Sequence, residues 1–302
     1  MVSELTAKDG LVWSDYDEAL PEELAQFARE SELEAADAEF VVQNHQRPEV
    51  AWREKYVLIL IHVPVFDKQV RITKGVPLYV IVGEKKVWTV HQEPIVSLEK
   101  LMRDYQEVPD KFEEYTSDGA MGLALHLTGA MYAGAFKKLE RLAKHIDIAE
   151  DAIFSGNERK MVEEVAVLRR DVMDFRKVIR PQINLFTDPP QHALLVVGLR
   201  SQWRRLHGQT NKLWEVLESL YESVNDLSQT NESLLQHKVN ELLRLLTYYS
   251  IFSIPVLMLL QAVNPFAPNN SLMVLIIFWT MLFLLVVILV FILLRFKRKK
   301  VL

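Results

Sequence analysis

General acid–base, nucleophilic and metal chemistry need reactive side chains at set spacings, and this chain lacks those spacings. Its eight histidines (His45, His62, His91, His126, His145, His192, His207 and His237) are scattered, and none lies three or four residues from another. No helix face therefore carries a paired imidazole site. There is no Gly-rich phosphate loop, no His-Glu-x-x-His and no Gly-x-Ser-x-Gly. With no cysteine at all, disulfides, zinc–thiolate sites and thiol catalysis are excluded. Acidic pairs such as Glu113-Glu114 and Glu163-Glu164 read as solvated helix faces, and His62 and His91 sit in strand-like runs as structural residues. Neither an enzyme nor a resident cofactor is expected.

The polar residues that stand out lie instead in an apolar setting. From Leu245 to Leu294 the chain has no Asp, Glu, Lys, Arg or His. That stretch is longer than any core helix and about twice the roughly 20 residues that a spanning helix needs. Two passes fit it, at about Leu245–Val263 and Leu272–Leu294, separated by Asn264-Pro265-Phe266-Ala267-Pro268-Asn269-Asn270-Ser271. Prolines and asparagines at that density make a turn. The second span is uniformly large and apolar, as a lipid-facing helix should be. The first carries Thr247, Tyr248, Tyr249, Ser250, Ser253 and Gln261, with Pro255 in its middle. Those groups either face a pore or a protein neighbour, or bond to their own backbone.

Charge orients this anchor. Residues 1–244 hold 30 basic against 40 acidic residues, a formal charge of −10, and the remaining five basic residues close the chain at Arg295, Lys297, Arg298, Lys299 and Lys300. His237, Lys238 and Arg244 precede the first span, while the connecting loop is uncharged. The positive-inside rule then puts both termini in the cytoplasm of a multi-pass cell-membrane protein. The amino terminus has no apolar h-region, so no secretory signal is expected. An acidic body argues against a nucleic-acid partner and suits a region that meets cations.

The elements upstream must position the first span. Residues 1–116 read as an α/β domain. Strands are expected at Tyr56–Val63, Leu78–Val82 and Lys86–Val90, bounded by Gly75, Pro77, Gly83 and Pro94. Pro21-Glu22-Glu23 opens a helix, and Ser97 caps another. Residues 117–244 read as a helical hairpin and stalk. One helix runs from about Gly119 to Phe154, a second from about Glu158 to Phe186, and a third starts near His192 with no stop before the membrane. Leu213, Leu217, Leu220, Val224, Leu227, Asn231 and Leu234 alternate four and three apart, a heptad seam with Asn231 as its register-setting polar position. Residues 245–302 form the two-helix anchor and basic tail.

Asn240-Glu241 followed by Leu246-Thr247-Tyr248-Tyr249-Ser250-Ile251-Phe252-Ser253-Ile254-Pro255 resembles the CorA magnesium channels, which have Asn-Glu, then Leu-Thr, then Phe-x-Pro there. The closing Phe296-Lys297-Arg298-Lys299-Lys300 resembles that family's basic end. Ile146–Phe154 and Leu168-Arg169-Arg170 resemble its helical hairpin. The resemblance covers essentially the whole chain. It implies an α+β cytoplasmic domain, a long stalk helix and two C-terminal transmembrane helices in a funnel-shaped homopentamer set in a lipid bilayer. It also implies a transported divalent cation, magnesium first.

The resemblance places Asn240 at a polar pore-lining position. Leu243, Leu246, Ser250, Ile254 and Leu257 follow on the same face at helical spacing, so around a fivefold axis they would make a polar ring beneath mostly apolar rings. Leucine rings in a narrow pore can close it by dewetting. The family's Gly-Met-Asn, which holds hydrated magnesium at the pore mouth, is replaced by Asn264-Pro265-Phe266. Asn264 would offer an amide oxygen per subunit, and Asn269 and Asn270 less directly, unless all three only form the turn. Two stalk positions where the family has magnesium-binding carboxylates fall on Arg205 and Gln229, with Glu222 and Asp226 as nearby acidic alternatives. An Arg cannot ligate a cation, and no resident metal site follows from the sequence. A non-conducting, membrane-anchored oligomeric scaffold or regulator with the same fold is the competing expectation.

Overall fold

The structure is a computed structural model and describes residues 2–18, 33–43, 47–187, 189–190 and 198–263, with isolated positions between 23 and 27 and between 276 and 287. For residues 43 and 258–263 it describes the backbone alone. Two compact units divide the chain, residues 1–231 and 232–302.

The first unit opens with β1 (Val2–Thr6) and β2 (Val12–Tyr16), turned through Gly10 at φ 85°. Helix α1 (Ala35–Gln43) is followed by β3 (Glu49–Trp52), β4 (Val57–Asp67), β5 (Ile72–Val82) and β6 (Lys86–Val90). The strands form one sheet in the order β1-β2-β6-β5-β4-β3, antiparallel except for the parallel β2–β6 pair. Both faces of β4 are covered, which explains its unbroken apolar run. On one face Leu58 and Leu60 join Tyr16, Phe27 and Val41 in a common core. The other face meets the helical hairpin. Gly75 of β5 allows this approach, since a Cβ there would lie 3.1 Å from Val178 Cγ2.

The expected strands are present, but two are longer than the sequence suggests. Strand β5 runs through Gly75 and Pro77, and β4 runs through Pro64. The β1–β2 hairpin and β3 were not anticipated. A helix opening at Pro21-Glu22-Glu23 falls largely outside the described residues.

Helices α2 (Val96–Glu107) and α3 (Pro109–Thr116) lead into α4 (Gly119–Ala152). Ser97 does not cap α2: the N-cap position is Ile95, and Ser97 Oγ lies 3.4 Å from Met131 Sδ. The hairpin turns at Ile153–Asn157, where Gly156 takes φ 91°, and returns as α5 (Glu158–Ile179). Helix α5 ends earlier than Phe186, at a 3-10 turn over Arg180–Gln182. Pro181 has no N–H to extend the α-helical ladder. The long helix α6 spans Arg200–Val263, after a turn at Gly198 with φ 89°. It starts later than His192, a residue outside the described set. Five residues of the heptad seam, Leu213, Leu217, Val224, Leu227 and Asn231, are buried, while Leu220 and Leu234 are half-buried.

Two buried polar clusters tie the α/β part together. In the first, Trp13 Nε1 donates to Thr89 Oγ1 (2.9 Å), and Thr89 donates to Asp15 (2.5 Å). His91 Nε2 is 3.5 Å from Asp15, so this network staples β2 to the end of β6. Burial pulls the His91 pKa down, but Asp15 outweighs it and holds the ring above its ordinary value. In the second cluster, Asp37 of α1 accepts from Arg53 Nε (2.8 Å) and Nη2 (2.7 Å) and from the Tyr56 hydroxyl (2.6 Å). Burial alone would raise the Asp37 pKa, yet the bonds from Arg53 and Tyr56 win and hold it below the usual value.

A depressed carboxylate stabilises the fold above its unfolded pKa, and that stabilisation is lost as pH falls through the lower folded value. Asp37→Asn should therefore cost about 2 kcal/mol near neutral pH, the scale of hydrogen bonds to a charged group. Thermal unfolding of the two proteins should differ at about pH 7 and converge below about pH 4. A difference that persisted unchanged in acid would show that the Asp37 charge is not its source.

Candidate functional site

Beyond the seam, the outward faces of α6 change character. Successive residues of an α-helix turn by about 100°, so Asn240, Leu243, Leu246, Ser250, Ile254 and Leu257 fall within an arc of about 120°. Asn240, Leu243, Leu246, Ile254 and Leu257 are exposed and Ser250 is half-buried. The exposure is not confined to that stripe: Leu242, Leu245, Tyr249 and Ile251 are also half or more open. Among the described residues, this part of α6 is apolar and open on several sides.

Two hydroxyls of this segment already have partners. Thr247 Oγ1 donates to the Leu243 carbonyl (2.8 Å), and Ser250 Oγ donates to the Leu246 carbonyl (3.0 Å). Each hydroxyl thus satisfies its donor within the helix while its lone pairs stay available on the surface. Pro255 lies inside α6, where its missing N–H leaves the Ile251 carbonyl without the usual intrahelical donor. Asn264, Pro265, Phe266, Asn269 and Asn270 lie outside the described residues, as does the basic tail. In the second apolar stretch the described residues are helical, and Ile276, Trp279, Phe283, Val286 and Val287 are exposed. Among the described residues no helix is long and apolar enough to cross a membrane. No group of three or more His, Asp or Glu among them could hold a metal ion.

The stalk positions are placed clearly. Arg205, Glu222, Asp226 and Gln229 are all exposed on α6. The start of α6 is held by aromatic packing, with Trp203 against Trp52 (centroids 5.5 Å apart) and Phe186 (5.2 Å), and with Trp203 Nε1 donating to the Thr187 carbonyl. Further along, Arg176 of α5 donates through Nε and Nη2 to Glu218 (2.9 and 2.6 Å) and lies over the rings of Trp214 and Tyr221. This clasp fixes the hairpin to the stalk. Nothing in the local sequence marks it, because its members lie 42 residues apart.

The model of the family described as CorA-like Mg2+ transporter protein matches residues 8–298. The cobalt/magnesium transport protein CorA of Methanocaldococcus jannaschii is 21% identical over 249 residues, covering 81% of this chain and 77% of that protein. Its namesake from Thermotoga maritima is 24% identical over 226 residues, covering 72% of this chain and 62% of that protein. Among solved structures, the complete CorA magnesium transporter of M. jannaschii superposes with a TM-score of 0.75 at 19% identity, over 96% of this chain and 92% of that one. That likeness extends from the sheet through the long helix, and with the family match it settles the lineage. This chain belongs to the CorA-like magnesium transporter family.

Proposed function

We propose that the protein is a divalent-cation channel or transporter, with magnesium as its first substrate, built as a homo-oligomer around α6. The observation that carries this reading is the stripe from Asn240 to Leu257, a polar position followed by mostly apolar ones, with Ser250 among them, along one face of the helix. Packed around a symmetry axis, that face gives a ring of Asn240 amides with Leu243 and Leu246 above it. Magnesium sheds its water reluctantly, so amide oxygens placed to bond its hydration shell suit it better than direct ligands. The curated relatives are named for cobalt and magnesium, which supports a divalent substrate.

The charge-free stretch after Arg244 supplies two spans of a cell membrane with both termini in the cytoplasm, and the basic tail meets anionic headgroups there. Five subunits is the count the fold resemblance favours. The acidic body of the first 244 residues concentrates cations ahead of the pore. Asn264, with Asn269 and Asn270, is the amide set available at the outer mouth.

A second reading is a non-conducting oligomeric scaffold, and two features favour it: Asn264-Pro265-Phe266 at the pore mouth and Arg205 with Gln229 on the stalk. Asn240→Leu separates the two. It exchanges a polar ring for an apolar one of similar volume and should cut magnesium flux by about tenfold, equivalent to about 1.4 kcal/mol in the barrier. The oligomer, checked by mass in detergent, should be unchanged. Full flux from an intact oligomer would remove Asn240 from the conduit.

A further inference from the structure

Helices α2, α3, α4 and α6 line an open cleft of about 520 Å3 that lies apart from the Asn240–Leu257 stripe. That volume lies within the range of small-molecule sites. Its floor is kept open by Gly129, Ala130 and Ala133 of α4, and even a Cβ at Gly129 would reach Leu206 Cδ2 at 3.4 Å. One wall is aromatic. Tyr115 stacks on His126 with centroids 3.5 Å apart and planes at 14°, and the Tyr105 hydroxyl is 2.6 Å from His126 Nε2.

Burial first, and then the charge of Arg205, depress the His126 pKa to about 4. The ring is neutral near pH 7 and shares one hydrogen bond with the Tyr105 hydroxyl through Nε2. The imidazole therefore adds no charge, and the positive groups of the cavity are Lys111 of α3 and Arg205 of α6, set against Asp104 of α2. Arg205 and Gln209 also line an adjoining cavity of about 740 Å3 that brings in Lys212 and Glu140. Gln209 Oε1 has no hydrogen-bond partner but is shut off from solvent, and so from the open cavity as well.

We propose that this cavity binds a planar nitrogen heterocycle carrying a phosphate, of mononucleotide size. Its ring lies against Tyr115 and His126, and its phosphate meets Arg205 and Lys111. Each half of the ligand answers a separate feature. A bare anion would leave the aromatic wall unanswered, and a neutral heterocycle would leave the guanidinium unanswered. Such a ligand joins the stalk helix to α2, α3 and α4 at once. The inference concerns binding and holds whether or not the chain conducts.

The test is calorimetric titration of the full-length protein in detergent with AMP, adenosine and inorganic pyrophosphate. AMP should bind saturably, with adenosine and pyrophosphate each weaker by about tenfold or more. Arg205→Ala, Lys111→Ala and the cavity-filling Ala130→Leu should each weaken AMP by a similar factor. Arg205 and Lys111 are exposed, so their alanine variants should fold normally, and a melting curve of the ligand-free proteins checks this. No saturable AMP binding to the parent protein would overturn the proposal. So would AMP affinity unchanged in Arg205→Ala, or pyrophosphate bound as tightly as AMP.

Discussion

Gln182→Leu should destabilise the first unit by about 3 kcal/mol or more. Gln182 is fully buried, and its amide behaves as a short piece of strand. Oε1 accepts from the His62 N–H (3.2 Å) and from the Tyr132 hydroxyl (3.2 Å). Nε2 donates to the His62 carbonyl (2.9 Å) and to the Val178 carbonyl (2.7 Å). The need arises from the sheet itself. Strand β3 reaches only as far as the partner of Leu60, so the His62 N–H and carbonyl, which both point to that side, have no strand beside them. Leucine would leave several buried polar groups without these partners at once, and each such group costs about 1–3 kcal/mol. Denaturation of the full chain in detergent, followed by tryptophan fluorescence, should show the first transition moved to lower denaturant with its slope unchanged. A shift of less than about 1 kcal/mol would mean that water replaces the amide.

Leu246→Asn should raise resting cation flux by about tenfold. In the proposed pore Leu246 forms an apolar ring above Asn240, and a narrow apolar ring excludes water and ions without any charge. Asparagine keeps much of the volume but lets the ring wet. Lowering the barrier by about 1.4 kcal/mol already gives a tenfold faster rate. Leu246 is exposed in the single chain, so the substitution should not disturb the fold of the subunit. Vesicle flux in the absence of any opening signal is the readout, and a flux equal to or below that of the parent would place the gate elsewhere. Read with Asn240→Leu, the two substitutions move flux in opposite directions along the same face.

Where the sequence states its structure locally, the fold was readable. Strands β4 and β5 are dense in Val, Ile and Leu and β6 in β-branched and aromatic residues because both faces or one deep face are buried, and the helical hairpin announces its turn with Ser155-Gly156-Asn157. The seam from Leu213 to Asn231 was legible for the same reason, since its burial repeats at heptad spacing. What was hidden depends on distant partners. Strand β2 buries Ser14 and Asp15, which looks like a loop until Thr89 and His91 arrive to satisfy the carboxylate.

Proline misled in two ways. Pro77 and Pro64 looked like strand boundaries, yet they sit inside long strands because each turns its missing N–H past the end of the neighbouring strand: β6 stops at the partner of Tyr79 and β3 at the partner of Leu60. Gln182 serves His62 opposite Pro77, and Lys138 of α4 donates to the Pro64 carbonyl. Burial, with the nearby Arg141 charge, lowers that lysine's pKa to about 8. Ser97 failed as a cap because its hydroxyl turns to Met131 instead of the helix N-terminus.

Site residues divide along the same line. The spacing of Asn240, Leu243, Leu246, Ser250, Ile254 and Leu257 follows from helical periodicity alone, and α6 is helical throughout that range. The cavity beside Arg205 was invisible, because His126, Tyr115 and Gln209 come from three helices and meet only in the folded chain. The same is true of the Arg176 clasp on Glu218.

The most direct test of the transport reading is cation uptake into proteoliposomes that contain the purified oligomer, with magnesium compared against cobalt, nickel and zinc. Uptake of magnesium above protein-free liposomes, reduced in Asn240→Leu and raised in Leu246→Asn, is the expected result. It would also show that a pore mouth built on Asn264-Pro265-Phe266 admits a divalent ion. No uptake of any of the four metals by an intact oligomer would contradict the account and leave the scaffold reading in its place.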